Sequence, residues 1–245
     1  GALAAVLLQP PAPATPVDSY APAVVRAAPA VVNIYSTRSV PVEGSPLCSH
    51  PGFADLCERY APRREQVSLG SGVIVDLEGL ILTNEHIIRD ATEISVALRD
   101  GRQGTAALVG TDRETDLAVL QVELPDLEPI AFADSDRARI GDVVLAIGNP
   151  FNLGQTVSQG ILSATGRYGL GRGPYEDFLQ TDAAINPGNS GGALVTADGR
   201  LLGINSLIFS RNGTSAGIGL AIPANLAMEV MHEIVRNGRV IRGWL

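Results

Sequence analysis

Asn186-Pro187-Gly188-Asn189-Ser190-Gly191-Gly192 sets one serine in a bend between glycines. Glycine on either side lets the chain enter φ > 0 and lets another group approach the backbone closely. A serine held in this way can sit beside converging backbone N–H groups, the arrangement of a nucleophile next to an oxyanion hole. The same composition also makes an ordinary turn, so the surroundings of the bend decide. It is not Gly-x-Ser-x-Gly at a strand-to-helix turn, which the nucleophile elbow of a doubly wound α/β hydrolase requires. Nor does any strand–helix alternation flank it. An all-β scaffold is the better host.

Working outward from the bend, short apolar runs recur with turn residues between them. On the N-terminal side, Ala30 to Thr37, Val67 to Asp76, Leu80 to Thr83, Thr92 to Leu98, Gly104 to Val109 and Leu117 to Val122 read as strands. Around the bend itself, Asp142 to Ile147, Thr156 to Thr165, Phe178 to Thr181, Ala193 to Thr196, Arg200 to Ser206 and Ile218 to Ile222 read as a second set. Leu124 to Arg139 carries prolines, acids and little alternation, and reads as the linker between them. Two six-stranded antiparallel halves, barrels or sandwiches, are therefore predicted, one over about 29–123 and one over about 140–222. After Pro223 the period changes. Leu226, Val230, Met231 and Ile234 follow helical spacing up to Asn237-Gly238, which predicts a helix over about 223–237 packed on the second barrel. A further short helix is expected within Val17 to Ala28, with Asp18 as its N-cap.

Composition narrows the function. The chain has 245 residues, few aromatics and a net charge of −8 with no basic stripe, so nucleic acid is not an expected partner. Gly1 to Leu8 is apolar but far shorter than the roughly 20 residues that span a bilayer. Followed by the Pro/Ala-rich Gln9 to Pro16, it reads as a frayed end or as the remnant of a signal or anchor, with residues 17–245 as the folded domain. Cys48 and Cys57 lie close together in a Pro/Gly/Ser-rich stretch. An oxidising compartment favours a disulfide between them and a reducing one leaves two thiols, while His50 and Glu58 complete no standard zinc spacing. No metal and no cofactor is expected.

A serine nucleophile needs a base and an orienting acid. Of the 3 histidines, His50 sits in the cysteine stretch and His232 inside the C-terminal helix. His86 follows the strand Leu80 to Thr83 and precedes Ile87-Ile88, which can anchor its backbone in a core while the ring faces a cleft. Asp116, opening the run Leu117-Ala118-Val119-Leu120, is the matching acid. Asp112 reads as a turn-capping residue, and Asp182 as an acid bonded to the backbone of the serine loop.

With these residues in place, a family resemblance emerges. Thr83-Asn84-Glu85-His86, Thr115-Asp116-Leu117-Ala118-Val119-Leu120 and Gly188-Asn189-Ser190-Gly191-Gly192, in that order, resemble the three motifs of the HtrA (Deg) serine proteases, which have a chymotrypsin-type fold. Ala27-Ala28-Pro29-Ala30-Val31-Val32-Asn33-Ile34, Gly70-Ser71-Gly72-Val73-Ile74, Ala146-Ile147-Gly148-Asn149-Pro150 and Thr181-Asp182-Ala183-Ala184-Ile185-Asn186-Pro187 extend the likeness over roughly residues 20–245. Ala164 to Arg167, Phe178 to Asp182 and Gly238-Arg239-Val240-Ile241-Arg242-Gly243 look most like the DegS/AlgW branch. The given sequence ends at Leu245, ahead of the PDZ domain usual in the family, and the cysteine stretch has no match in it.

The resemblance implies a serine endopeptidase acting on misfolded or regulatory envelope proteins. His86, Asp116 and Ser190 would form its triad, and the N–H groups of Gly188 and Ser190 its oxyanion hole. It further implies that Asn205, Ser206 and Leu207 pair with a substrate strand, and that Ile185, Leu207 and Ile208 wall an apolar first pocket suited to a small or medium aliphatic side chain. The glycine-rich Tyr168 to Tyr175 and Arg211 to Thr214 correspond to regulatory loops. A homotrimer with contacts around Val17 to Ala28, a periplasmic location with an inner-membrane tether, and an anti-sigma factor as partner complete what the family suggests. A chaperone-like pseudo-protease that only binds peptides, and an esterase on the same triad, are the alternatives.

Overall fold

The computed structural model describes residues 19–41, 63–149, 154–169, 175–208 and 217–242. Cys48, Cys57, His50, Glu58 and residues 1–16 fall outside these, as do Asp18, 170–174, 209–216 and the side chains of Leu207 and Ile208.

Two closed antiparallel barrels make up the body. The first contains β1 (Val31–Pro41), β2 (Arg63–Ile74), β3 (Leu80–Thr83), β4 (Glu93–Ala97), β5 (Gln103–Asp112) and β6 (Leu117–Val122), in the order β1-β2-β3-β6-β5-β4. The second contains β7 (Val143–Gly148), β8 (Thr156–Arg167), β9 (Phe178–Thr181), β10 (Ala193–Thr196), β11 (Leu201–Ile208) and β12 (Gly219–Pro223), in the order β10-β11-β12-β9-β8-β7. Closure removes the open sheet edges that would otherwise invite strand pairing with other chains.

Strand alternation explains how the barrels join. In β7, Val144 and Ala146 point into the second barrel with Leu162, Leu179, Ile185 and Leu194, whereas Leu145 and Ile147 belong to the larger core that continues into the first barrel. Both faces of such a strand are apolar, so its sequence is continuously hydrophobic. The connecting segment is equally bound in. Ile130 N donates to Ile74 O at 3.0 Å in the first barrel, and Ala133 N donates to Leu201 O at 2.8 Å in the second.

Among the described residues three α-helices accompany the barrels: α1 (Ala21–Ala27), a single turn α2 (Glu85–Ile88) and α3 (Ala224–Asn237). The N-cap of α1 is Tyr20 rather than Asp18, and Ser19 Oγ accepts from Ala21 N at 3.1 Å. Although α1 precedes the first barrel, it docks on the second: Arg26 donates to the Asp198 carbonyl, and Gln155 Nε2 donates to Ala28 O at 2.8 Å. The C-terminal helix also departs from expectation. It packs on β5 and β6 of the first barrel as well as on β11 and β12 of the second, because its buried stripe of Ala227, Val230, Met231 and Ile234 reaches the common core. Ile234 lies against Gly110 of β5.

Just past α3, Arg242 reaches back to the turn before β6. Its guanidinium donates to Asp112 Oδ1 at 2.7 Å and to Asp112 Oδ2 at 2.5 Å, meets Glu114 at 3.0 Å, and lies 4.1 Å from the centre of the Tyr175 ring. Thr115 Oγ also donates to Asp112, at 2.5 Å. Burial alone would raise the Asp112 carboxyl, but the bonds from Arg242 and Thr115 outweigh it and hold the group below the usual carboxylate range. A depressed folded-state value stabilises the fold above the unfolded value of about 3.9, and this contribution disappears as pH falls through the folded value. Asp112→Asn is therefore expected to cost about 1.5–3 kcal/mol at pH 7. In denaturant titrations the gap to the parent chain should shrink below about pH 4; a gap that persists unchanged at pH 2 contradicts the assignment.

Candidate active site

His86 occupies the single turn α2, directly after β3. Ile87 and Ile88 are buried beneath it, which fixes the backbone and leaves the ring at the surface of the cleft. Asp116 immediately precedes β6, the strand that pairs with β3, and has φ 58°. This left-handed conformation is uncommon for a residue other than glycine, though aspartate tolerates it better than most. Here the Asp116 carbonyl is held by Glu85 N at 3.1 Å and Asn84 Nδ2 at 3.0 Å. With the backbone so fixed, the carboxylate faces His86: Oδ1 accepts from the His86 backbone N–H at 3.0 Å, and Oδ2 lies 2.7 Å from Nδ1.

A carboxylate can only accept, so Nδ1 carries the proton in the neutral ring and Nε2 keeps its lone pair. That is the tautomer a general base needs. The neighbouring Glu85, itself buried, is paired with Arg89 one turn on, so its charge beside His86 is compensated. His86 and Asp116 open onto a cavity of about 270 Å³ at the junction of the barrels, bounded also by Thr115, Tyr175, Phe178 and Leu226.

Ser190 comes from the second barrel, in the loop between β9 and β10. Asn189 N donates to Asn186 O at 2.9 Å across Pro187 and Gly188, with Gly188 at φ 103°. A positive φ at the third position is required by a type II turn, and proline at the second favours it. Beyond the serine the loop is bound tightly, since Gly191 N donates to Asn205 O at 2.7 Å and Asn205 N to Gly192 O at 2.8 Å. A Cβ on Gly191 would lie 2.1 Å from Ser71 O, at a φ of +79° that side chains rarely adopt, so this position admits only glycine. Among the described residues, the N–H groups of Gly188 and Ser190 have no hydrogen-bond partner, leaving them available to a ligand.

Ser206 links the two halves. Its hydroxyl donates to Asp116 Oδ2 at 3.1 Å, and its carbonyl accepts from Ser190 Oγ at 2.9 Å. The Ser190 hydroxyl and the Asp116 carboxylate are thereby joined through one buried residue. Ser190 Oγ makes no hydrogen bond to His86 in this arrangement; it must leave Ser206 O to meet Nε2.

Several residues do something other than the sequence suggests. Asn205 is fully buried, its Nδ2 donates to Ala193 O at 3.0 Å, and both its backbone groups serve the serine loop, so it anchors the loop instead of pairing with a substrate. Asp182 accepts from Ile161 N of β8 at 2.8 Å and does not bond the serine loop. Ile185 is buried inside the second barrel against Gly219 of β12. Leu207 and Ile208 belong to β11. His232, by contrast, is exposed on α3 as a histidine of the C-terminal helix is expected to be.

Comparison with known proteins agrees with this geometry. Residues 70–204 match the model of the trypsin-like peptidase domain. The chain superposes on the HtrA-type protease AlgW, in a serine-to-alanine variant with a decapeptide, with a TM-score of 0.87 at 56% identity, covering 93% of this chain and 70% of that one. It belongs to the HtrA family of trypsin-like peptidases. Within that family it is 51% identical to the serine endoprotease DegS of Escherichia coli (strain K12) over 93% of its own length, and 44% identical to the periplasmic pH-dependent serine endoprotease DegQ of the same strain over 94%. This HtrA-type chain spans 60% of the length of DegS and 51% of that of DegQ. Among the described residues no helix is long and apolar enough to cross a membrane.

Proposed function

We propose that the chain is the catalytic unit of a serine endopeptidase working in the bacterial envelope. What supports the reading is the bridge through Ser206, which contacts both the acid paired with His86 and the serine hydroxyl.

His86 acts as general base. When Ser190 Oγ turns from the Ser206 carbonyl to Nε2, His86 takes its proton as the oxygen attacks a substrate carbonyl, and later gives that proton to the leaving amine. Asp116 keeps Nδ1–H directed at itself and stabilises the imidazolium. The N–H groups of Gly188 and Ser190 receive the developing oxyanion, where loss of one donor typically costs about 2.7–4 kcal/mol. A substrate strand adds along Ser206 and Leu207, and the Ser206 carbonyl vacated by Ser190 is free to accept a substrate N–H. On the family likeness, the first pocket beside β11 is apolar.

DegS, DegP and DegQ are named as serine endoproteases, the latter two as periplasmic, and AlgW is described with bound tripeptide and decapeptide. On that likeness the substrates are misfolded or regulatory envelope polypeptides, an anti-sigma factor among them, in the periplasm beside the inner membrane. A homotrimer with contacts near α1, whose Val25 is exposed, is the corresponding assembly. Digestion of a denatured protein library, with cleavage products read by mass spectrometry, tests the reaction and its specificity together. Cuts after Val, Ala or similar residues are expected; cuts after Lys, Arg or large aromatics contradict the apolar pocket. A fluorophosphonate probe that never labels Ser190 would leave the peptide-binding, chaperone-like reading instead.

A further inference from the structure

Ser71 lies in β2 of the first barrel, within Gly70-Ser71-Gly72, and is fully buried. Each of its polar groups has a partner. The backbone N–H donates to Ser190 O at 2.9 Å and the hydroxyl to Gly188 O at 2.7 Å. Asn149 N donates to Ser71 Oγ at 3.1 Å, and Thr83 Oγ1 donates to Ser71 O at 2.8 Å. One residue of the first barrel thus holds the carbonyls of both residues whose N–H groups have no partner among the described residues. It is also tied to Thr83, the last residue of the strand that leads into His86.

The two bonds to the serine loop differ in what they demand of the sequence. Any residue except proline at position 71 would supply the N–H to Ser190. Only a hydroxyl supplies the bond to Gly188, and among the described residues no other donor reaches that carbonyl. Gly188 has no side chain to brace it, and its φ of 103° is one of several conformations open to glycine. The Asn149 N–H occupies the hydroxyl oxygen from one side, which commits the hydroxyl proton to Gly188. The space around it is closed: a Cβ on Gly148 would lie 3.1 Å from Ser71 Oγ, and one on Gly192 3.2 Å from Ser71 Cβ.

We infer that the Ser71 hydroxyl is a positioning group for the oxyanion hole, holding Gly188 in the conformation that turns its N–H toward the reacting carbonyl. The inference rests on the serine peptidase reading above. It gives the first barrel a part in catalysis separate from the His86–Asp116 pair.

The test uses the whole chain with Ser71→Ala and Ser71→Cys, the second keeping the size of the side chain but donating weakly. Ser71→Ala is expected to lower kcat on a peptide substrate about 10- to 100-fold, somewhat less than deleting a hole donor outright, with KM within about threefold. Ser71→Cys should fall between it and the parent. A peptide boronate, which forms a tetrahedral adduct on Ser190, should lose affinity by a factor similar to kcat. The same peptide with hydrogen in place of the boronic acid puts no oxygen in the hole and should bind alike with and without the Ser71 hydroxyl. A folded Ser71→Ala with kcat within threefold of the parent overturns the inference, as does equal loss of boronate and plain-peptide affinity, which would mark a general loosening. Should Ser71→Ala fail to fold, the parent and Ser71→Cys carry the same comparison. Failure of the peptidase reading would look different, since the parent chain itself would then resist the fluorophosphonate probe.

Discussion

Ser190→Ala should leave a folded chain that hydrolyses peptide bonds about 10⁶-fold more slowly than the parent, the scale seen when the nucleophile of a serine triad is removed. The fold should survive because the hydroxyl contributes little to it. Its one hydrogen bond, to Ser206 O at 2.9 Å, is worth about 1 kcal/mol net, equivalent to roughly 2–4 °C in melting temperature for a domain of this size. The loop is shaped by backbone bonds that alanine keeps: Ser190 O to Ser71 N, Gly191 N to Asn205 O and Gly192 N to Asn189 O. Residual rate above that of water, of order 10³–10⁴, would come from the oxyanion hole and substrate binding. Cleavage of a denatured protein and labelling by a fluorophosphonate, run on both chains, decide the matter. A folded variant that keeps more than about one per cent of the parent rate would show that Ser190 is not the nucleophile.

The barrels could be read from the chain because their strands bury at least one face. β3, β6, β9 and β10 have the bounds that the apolar runs suggest, from Leu80–Thr83 to Ala193–Thr196. Strands that leave the core run further than their apolar stretches indicate. β2 begins at Arg63, and its first residues, Arg63 to Gln66, pair with Pro41 to Arg38 of β1 in a ribbon that is exposed on the β2 side. A ribbon with no buried face carries no alternation, so nothing in its composition separates it from a loop. The C-terminal helix was visible by its period, but its partner was not: a single apolar stripe says that a helix is amphipathic, and only the common core reveals that both barrels share it.

The site divides along a similar line. His86, Asp116 and Ser190, the proposed triad, stand out in the chain because each lies at the end of an apolar run or inside a glycine bend. Their chemistry demands a residue type, and their local context demands exposure. Ser71, Asn205 and Ser206 are small polar residues in or beside strands, and their work is done across the fold, on Gly188, on Gly191 and on Asp116 respectively. Asn205 lies beside the expected substrate strand, but its backbone bonds go to Gly191 and Gly192 of the serine loop. A buried polar residue must find partners, but the chain alone does not say which.

Asp116→Asn should lower kcat about 10⁴-fold while leaving the fold in place. The backbone is no obstacle, since asparagine also tolerates the φ of 58° found here, and its carbonyl would still accept from Glu85 N and Asn84 Nδ2. The effect lies in hydrogen-bond polarity. Oδ1 accepts from the His86 backbone N–H, while Oδ2 accepts from His86 Nδ1 and Ser206 Oγ. An asparagine must put its NH₂ on one of these sides. Facing the backbone N–H, two donors would oppose each other with no freedom to adjust, at a cost of about 1–3 kcal/mol. Facing Nδ1 and Ser206 Oγ, the NH₂ meets two groups that can both turn into acceptors, because the imidazole can move its proton to Nε2 and the hydroxyl can rotate. That second arrangement is therefore favoured, and it removes the lone pair that should take the proton from Ser190. Nitrogen-15 NMR of the imidazole reads the switch directly: Nδ1–H in the parent chain and Nε2–H in the variant. A variant in which kcat falls less than tenfold, or in which Nδ1 keeps its proton, would mean that Asp116 only supports the turn before β6 and does not hold the base in its working tautomer.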